Sequence, residues 1–316
     1  GLPNRLYLQA EDGTLQDVSA KANVDWLEET RSALLVDLDN DRDLDLVVAT
    51  VAGIVFAENN GKAVFRIRAA IPGSSDAYSM AAADYDNDHD VDIYITAYGP
   101  NAGATRARGF EAAMPVPYDD ANNGGNNLLL QNEGQFQFRD VTQAVGLDEN
   151  NQRFSFAAAW EDYDADGDMD LYVANDFGRN NLYKNQDGRF RDVASDAGVE
   201  DRAGGMSVSW GDANLDGHAD IYVGNMFSAA GSRVTYQRRF LSTRSSERSS
   251  SLQRMARGNT LFLADSKNQF ADASLQSSAW MGRWAWGSKF ADLNNDGLED
   301  LIVANGYFTN RRTDDL

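Results

Sequence analysis

The stretch Asp162-Tyr-Asp164-Ala-Asp166-Gly-Asp168-Met-Asp170 places a carboxylate at every second position of nine residues. The apolar run Leu171-Tyr-Val173 follows it directly, and such β-branched and aromatic runs are typical of strands. Four other stretches align with it without gaps and share the pattern D-x-[DN]-x-D-x-x-x-D. We number all five in chain order as loop 1 (37–45), loop 2 (84–92), loop 3 (162–170), loop 4 (212–220) and loop 5 (292–300). An apolar run follows each of them, so each loop is predicted to join two strands.

A second module recurs between the acidic loops. Its clearest copy is Asn181-Leu-Tyr183 with Phe190-Arg-Asp192-Val193, split by the turn Gln186-Asp-Gly188. Two apolar-alternating segments around a Gly-containing turn predict a β-hairpin. Similar copies lie at 4–18, 127–141 and 259–272, and 54–65 is a poorer one. One unit therefore carries four strands in about 47 residues, which is typical of a propeller blade.

The spacing of the loops indicates where the repeat is interrupted. Their first aspartates lie at 37, 84, 162, 212 and 292, so two steps are about 30 residues longer than the others. The extra residues, at 99–125 and 226–257, show no blade pattern and are predicted to be long loop insertions. The sequence thus predicts an all-β fold: a single β-propeller domain over 1–316, built from four-stranded blades.

The two ends of the chain bear on the number of blades. The chain starts with an outer hairpin (4–18) and ends with an inner pair of strands (289–303), which we expect to complete one blade by pairing their edges. That closure gives five blades, the number of repeats visible. A trimmed chain would instead leave room for seven.

The acidic loops are predicted to bind calcium. Ca²⁺ takes about six to eight oxygen ligands, several of them carboxylates, and positions 1, 3, 5 and 9 of a tight loop converge on one point. Four such carboxylates repel one another without a cation, so metal binding is expected to couple to folding. The predicted ligands of about five structural ions are Asp37, Asp39, Asp41, Asp45; Asp84, Asp86, Asp88, Asp92; Asp162, Asp164, Asp166, Asp170; Asp212, Asn214, Asp216, Asp220; Asp292, Asn294, Asp296 and Asp300.

An EF-hand is the nearest alternative for such loops, and it requires Glu at position 12 with helices on both sides. Position 12 is instead a strand residue in all five loops: Val48, Ile95, Val173, Val223 and Val303. Position 6 is Gly in loops 3 to 5, which suits a left-handed backbone, whereas Arg42 and His89 replace it in loops 1 and 2. We therefore expect strained or weaker sites in the first two loops.

Composition excludes several classes of function. The net charge of −21 and pI of about 4.3 argue against nucleic acid, which needs a basic face, and against anionic membranes. The absence of cysteine excludes disulfides and thiolate metal sites. No apolar run reaches the roughly 20 residues of a membrane span. The chain opens inside a repeat without a signal peptide, so we interpret it as the mature or trimmed form of a secreted protein, extracellular or periplasmic.

The D-x-D-x-D-G-x-x-D loops, with Trp286-Gly287 ahead of the last one, resemble FG-GAP (VCBS) repeats such as those of integrin α-subunit propellers. The strings Asn181-Asn-Leu-Tyr-Lys-Asn-Gln-Asp-Gly188 and Asp168-Met-Asp-Leu-Tyr-Val-Ala-Asn175 are more similar to the bacterial branch. There the repeats precede an ASPIC/UnbV segment, as in cartilage acidic protein-like proteins. No such segment follows Asn310. The resemblance covers nearly the whole chain and implies an extracytoplasmic calcium-binding propeller, without implying an activity.

A binding scaffold is favoured over an enzyme. The two histidines, His89 and His218, both lie inside acidic loops, and no Ser-His-Asp triad, G-x-S-x-G elbow or Walker loop is found. The favoured function is binding of a protein or glycan, with bound calcium ions that stabilise the fold. Two alternatives stay open: a calcium-assisted polysaccharide lyase or hydrolase, and a structural subunit of an extracellular assembly.

The insertion at 226–257 has a composition of its own. It holds seven arginines against one acid, Glu247, and its end at 251–257 is predicted to form a short helix. One interpretation is that it folds onto the acidic propeller through ion pairs. The other is that residues 233–257 dock an acidic partner or a second copy of the chain. The insertion at 99–125, rich in Pro and Gly, is predicted to be a long loop or lid on one face.

Overall fold

A computed structural model describes residues 2–73, 76–99, 114–242 and 245–306. The described strands form six antiparallel sheets, four of them with four strands each. These four blades are β3 (Thr30–Val36), β4 (Asp45–Thr50), β5 (Gly53–Asn59), β6 (Phe65–Pro72); β7 (Ala77–Ala83), β8 (Asp92–Ala97), β9 (Leu128–Asn132), β10 (Phe138–Asp140); β11 (Phe154–Glu161), β12 (Asp170–Phe177), β13 (Asn181–Gln186), β14 (Arg189–Asp192); and β15 (Gly205–Gly211), β16 (Asp220–Asn225), β17 (Thr260–Ala264), β18 (Phe270–Asp272). The repeated blades confirm the predicted all-β repeat fold.

Each acidic loop joins the first two strands of a blade, as predicted. Loop 3, for example, connects β11 to β12, and β12 then pairs with the hairpin β13–β14. The second strand of each blade is buried on both faces. In β12, Leu171 and Val173 pack toward the second blade, whereas Tyr172 and Ala174 pack toward the fourth. This alternation explains why the strands read as continuous apolar runs and why consecutive blades stack through shared cores.

Both ends of the chain form half-blades. The hairpin β1 (Tyr7–Gln9) and β2 (Leu15–Asp17) lies beside the first blade, and β19 (Ala285–Ala291) with β20 (Asp300–Asn305) packs against β15. The two pairs form separate two-stranded sheets, so in the described residues the predicted completion of one blade is not seen. The number of blades stays a prediction.

Both insertions leave the blades from the end opposite the acidic loops, because β8 and β16 each begin at an acidic loop and run away from it. Residues 100–113 of the first insertion lie outside the described residues. The second forms three helices: α2 (Ala229–Thr235), α3 (Arg238–Leu241) and α4 (Ser246–Arg257), which follow the single turn α1 (Ala194–Ala197) earlier in the chain. The helix predicted at 251–257 is thus the second half of α4.

The second insertion is held on the blades by arginines. Arg254 makes an ion pair of 2.6 Å with Asp201, which is fully buried, and Arg257 pairs with Asp272. Asp201 also accepts hydrogen bonds from the side chains of Asn225 and Thr260. These contacts agree with the interpretation that the insertion folds onto the acidic blades. Within the described residues no helix combines the length and apolar character required to cross a membrane.

Candidate metal sites

The acidic loops share one internal hydrogen-bond pattern. In loop 3, the Oδ1 and Oδ2 atoms of Asp162 accept the backbone N–H groups of Asp166 and Gly167, each over 3.0 Å, and Oδ1 of Asp166 accepts the N–H of Asp168 over 3.1 Å. The same bonds recur in loops 2, 4 and 5, and two of the three recur in loop 1. The first and fifth positions therefore fold the loop.

Two positions of every loop have a left-handed backbone. Position 6 was predicted to do so, and it has φ of 76° at both Arg42 and His89. The Cβ atom of a residue other than glycine makes this conformation unfavourable, which agrees with the expected strain in loops 1 and 2. Whether their metal affinity is lower stays a prediction. Position 4 is also left-handed in all five loops, with φ between 57° and 61°, and the sequence reasoning missed it. Asn at this position in loops 1, 2 and 5 was the available signal, since Asn tolerates this region.

The aspartate at position 9 connects loops 1 to 4 to the third strand of their blades. Asp92 is fully buried, and its two oxygens accept the N–H groups of Tyr85, inside loop 2, and Asn132, at the end of β9. Asp45 and Asp220 make the equivalent bonds. Burial raises the pKa of Asp92 to about 8, although these hydrogen bonds oppose the shift. Position 9 thus has a structural role besides the predicted role as a ligand.

In each of loops 1, 2 and 3, three of the four predicted carboxylates lie close together. One oxygen from each member of a triplet lies within 4.8 Å of the others in the sets Asp37, Asp39, Asp41; Asp84, Asp86, Asp92; and Asp162, Asp164, Asp170. Several of these oxygens are buried and accept no hydrogen bond from the described residues: Oδ1 of Asp37, Asp39, Asp86 and Asp164, and Oδ2 of Asp170. A buried carboxylate oxygen without a donor is costly, and a hard divalent cation would satisfy several at once. The residues of these loops therefore fit calcium.

Loops 4 and 5 differ because Asn replaces Asp at position 3. The Nδ2 of Asn214 donates to Asp216 over 2.9 Å, and Asn294 donates to Asp296 over 3.0 Å. The amide N–H group thereby offsets part of the carboxylate charge that would attract a cation. Among the described residues these two loops do not gather three acidic ligand atoms, so their predicted sites stay predictions.

A residue of the third strand also reaches the acidic loop, which the sequence reasoning missed. In loop 3 the Nζ of Lys184 bonds to Asp164 and lies 3.3 Å from Oδ2 of Asp166. Its hydrogen bond with Asp164 raises the pKa of Lys184 above its ordinary value. The aligned residue beside loop 2 is Gln131, whose Nε2 donates to Oδ2 of Asp86 over 2.6 Å. A positive charge thus lies at loop 3 where loop 2 has a neutral amide.

The two histidines take no part in a cluster of catalytic side chains. His89 has 94% of its side chain exposed, and its Nδ1 lies 3.9 Å from a carboxylate oxygen of Asp84. His218 is partly exposed within loop 4, where its N–H donates to Asp216.

Residues 37–95 and 162–223, which contain loops 1 to 4, match the family of FG-GAP-like repeats. The chain carries FG-GAP-like repeats. The match concerns the repeat itself, and the finer resemblance to the ASPIC/UnbV branch and to integrin calcium loops stays a prediction. No curated protein of similar sequence was found.

Two solved structures show a distant likeness to the FG-GAP-repeat chain. The V. cholerae biofilm matrix protein Bap1 is 12% identical, with a TM-score of 0.42, over 85% of this chain and 32% of Bap1. BBS1N, from its complex with ARL6DN, is 11% identical, with a TM-score of 0.46, over 95% of this chain and 69% of BBS1N. The chain therefore spans about a third of the length of Bap1.

Proposed function

We propose that this protein is a calcium-stabilised scaffold that binds a protein or glycan ligand outside the cytoplasm. The FG-GAP-like repeats support an interaction scaffold, and the acidic loops support calcium as its staple. Extracellular calcium modules work at dissociation constants of about 10⁻⁴–10⁻³ M. A location outside the cytoplasm is part of the proposal, because loops with such dissociation constants need abundant free calcium to be filled.

The observation that carries the proposal is the set of buried carboxylate oxygens without hydrogen-bond donors. They lie in loops 1, 2 and 3, where the position 3 aspartates Asp39, Asp86 and Asp164 each contribute one. Burial is the largest of the causes that raise the pKa of Asp39 and Asp86, and neighbouring carboxylates add to it. The repulsion among these groups is removed when a cation binds between them.

The second insertion is the best-supported ligand-binding surface. Arg233, Arg238 and Arg239 are exposed on α2 and α3, and within the described residues none of them forms an ion pair. Arg254 and Arg257, by contrast, form ion pairs with Asp201 and Asp272. Three unpaired arginines on a protein of net charge −21 favour an acidic partner, such as a carboxylate- or sulfate-bearing glycan or an acidic protein.

Calcium titration by isothermal calorimetry tests the metal part. We expect Asp39→Ala and Asp86→Ala each to lower the stoichiometry by one ion, whereas Asp265→Ala, at an exposed acid outside the loops, leaves it unchanged. A glycan array with the calcium-loaded protein tests the binding part, and the triple variant of Arg233, Arg238 and Arg239 to Ala should lose binding to acidic glycans. Unchanged stoichiometry in both loop variants would refute the calcium staple. An array on which the triple variant and the wild type behave alike would refute the arginine surface.

A further inference from the structure

A cavity of about 640 Å³ lies at the end of the third and fourth blades that is opposite the acidic loops. The second insertion provides one wall, with Val234 of α2 and Leu252 and Met255 of α4. The blades provide the other, with Phe177 at the end of β12 and Met226 after β16. Tyr118 of the first insertion completes the lining, and its ring centroid lies 5.0 Å from that of Phe177. Both insertions therefore meet at one space whose walls are mainly apolar and aromatic.

Asp176 is the only charged side chain among the described residues that line this cavity. Its Oδ2 accepts a hydrogen bond of 2.5 Å from the hydroxyl of Tyr98. Its Oδ1 accepts none from the described residues, and no described cation pairs with it. Burial raises the pKa of Asp176, and the bond from Tyr98 opposes that shift. Asp176 is partly exposed and lines the cavity, so its Oδ1 can accept a hydrogen bond from a cationic group of a ligand.

The fold does not require an acid at this position. Asp176 comes six residues after the last aspartate of loop 3, near the end of β12, and the residue at the same distance in the other repeats is Val51, Tyr98, Met226 or Gly306. The blades therefore form with apolar, aromatic or no side chains here. The carboxylate of the third blade lies where both insertions line a cavity, and its Oδ2 bonds to the second blade through Tyr98, which leaves Oδ1 for a ligand.

We propose that this cavity binds a ligand with one aromatic or aliphatic group and one protonated amine. The volume is within the range of about 300–1,000 Å³ that is usual for small-molecule sites. The apolar group packs between Phe177, Leu252 and the two methionines, and the ammonium pairs with Oδ1 of Asp176. Aromatic walls further stabilise a bound cation. The site lies at the opposite end of the blades from the calcium loops, so the proposal stands whether or not those loops bind calcium.

The test uses the calcium-saturated protein with three probes of matched size: phenethylamine, 2-phenylethanol and 3-phenylpropionate. Carbon-13 methyl NMR reports the location, because two of the seven methionines, Met226 and Met255, line the cavity. We expect phenethylamine to shift both of these signals saturably, the alcohol to bind about tenfold more weakly, and the carboxylate to have no effect. Tryptamine and hexylamine extend the panel to a larger ring and to an aliphatic chain.

The variant Asp176→Asn should weaken phenethylamine about tenfold and leave the alcohol unchanged, because a charge-assisted hydrogen bond is lost (about 1.4 kcal/mol per tenfold). Tyr98→Phe is the control, since it frees Oδ2 without removing the carboxylate, and it should retain binding of the amine. Equal binding of amine and alcohol to the wild type would overturn the proposal. Shifts confined to methionines outside the cavity would also overturn it. So would the absence of saturable binding by phenethylamine, tryptamine and hexylamine. Neither of these results requires that a variant folds.

Discussion

The Nδ2 of Asn40 in loop 1 donates a hydrogen bond of 2.7 Å to Oδ1 of Asp90 in loop 2. Asn87 makes the same bond to Asp168, over 3.0 Å, so loops 1, 2 and 3 form a connected row across three blades. Loops 3 and 4 have Ala165 and Leu215 at the donor position, which cannot continue the row. Adjacent candidate calcium sites are therefore linked through position 4 of one loop and position 7 of the next.

Replacement of Asn40 by Gly is expected to lower the free energy of unfolding by about 0.5–1 kcal/mol, because the hydrogen bond between loops is lost. Glycine is chosen since φ is 61° at Asn40, and Ala would add backbone strain. Denaturant unfolding in saturating calcium measures the change. The matched control is Ala165→Gly, at φ of 57°, which removes no such bond. The link between loops has no energetic value if the two variants change stability equally.

Lys184 is expected to weaken calcium binding at loop 3, because its ammonium already pairs with Asp164 and lies close to Asp166. The variant Lys184→Gln should raise calcium affinity at this loop several-fold, since a neutral amide no longer competes with the ion. Site-resolved NMR titration of the backbone amides measures it, with Gly167 as the reporter for loop 3 and the equivalent amide of His89 for loop 2.

The reciprocal change, Gln131→Lys at loop 2, is the matched control and should lower the affinity of that loop. The interpretation is wrong if both substitutions move affinity in the same direction, or if neither has an effect.

The sequence was sufficient for the strands and the loops that join them, because these depend on residues close together in the chain. It did not reveal that Asn40 bonds to Asp90, because Asn40 comes from a neighbouring blade. Nor did it reveal that Lys184 bonds to Asp164, because Lys184 lies on the third strand. It also could not show that Asp176 lines a cavity, because the walls come from two insertions without a repeat pattern. The repeated pattern predicts the features that all blades share. It gives no information on the side chains by which one blade differs from another.

The metal-free protein is expected to lose stability as the pH rises. Burial raises the pKa of Asp45 to about 6 and of Asp92 and Asp170 to about 8, above the value of about 3.9 for an unfolded chain. A raised pKa in the folded state means that folding favours the protonated form, so this contribution is lost as the pH rises from the unfolded pKa of about 3.9 through the folded values of about 6 and about 8. In EDTA, Tm should therefore fall between pH 5.5 and pH 9. Calcium replaces the protons, so the fall should be smaller when the metal is saturating. A metal-free Tm that rises over this range would contradict the burial of these unpaired carboxyls.

Two kinds of arginine in the second insertion should respond differently to substitution. Arg254→Ala leaves the fully buried Asp201 without its cation, and we expect a loss of about 3 kcal/mol in the free energy of unfolding. Arg239→Ala changes an exposed side chain and should stay within about 0.5 kcal/mol of the wild type. Denaturant unfolding of both variants measures the difference. Equal stabilities would mean that the Arg254–Asp201 pair does not hold the insertion on the blades.

The most direct measurement of the central claim is thermal unfolding of the purified protein with saturating calcium and with excess EDTA, together with metal analysis of the purified material. The account predicts bound calcium and a large fall in Tm on chelation, because the orphaned carboxylate oxygens of loops 1 to 3 then repel one another. A protein that contains no calcium and melts at the same temperature in both conditions would contradict the account.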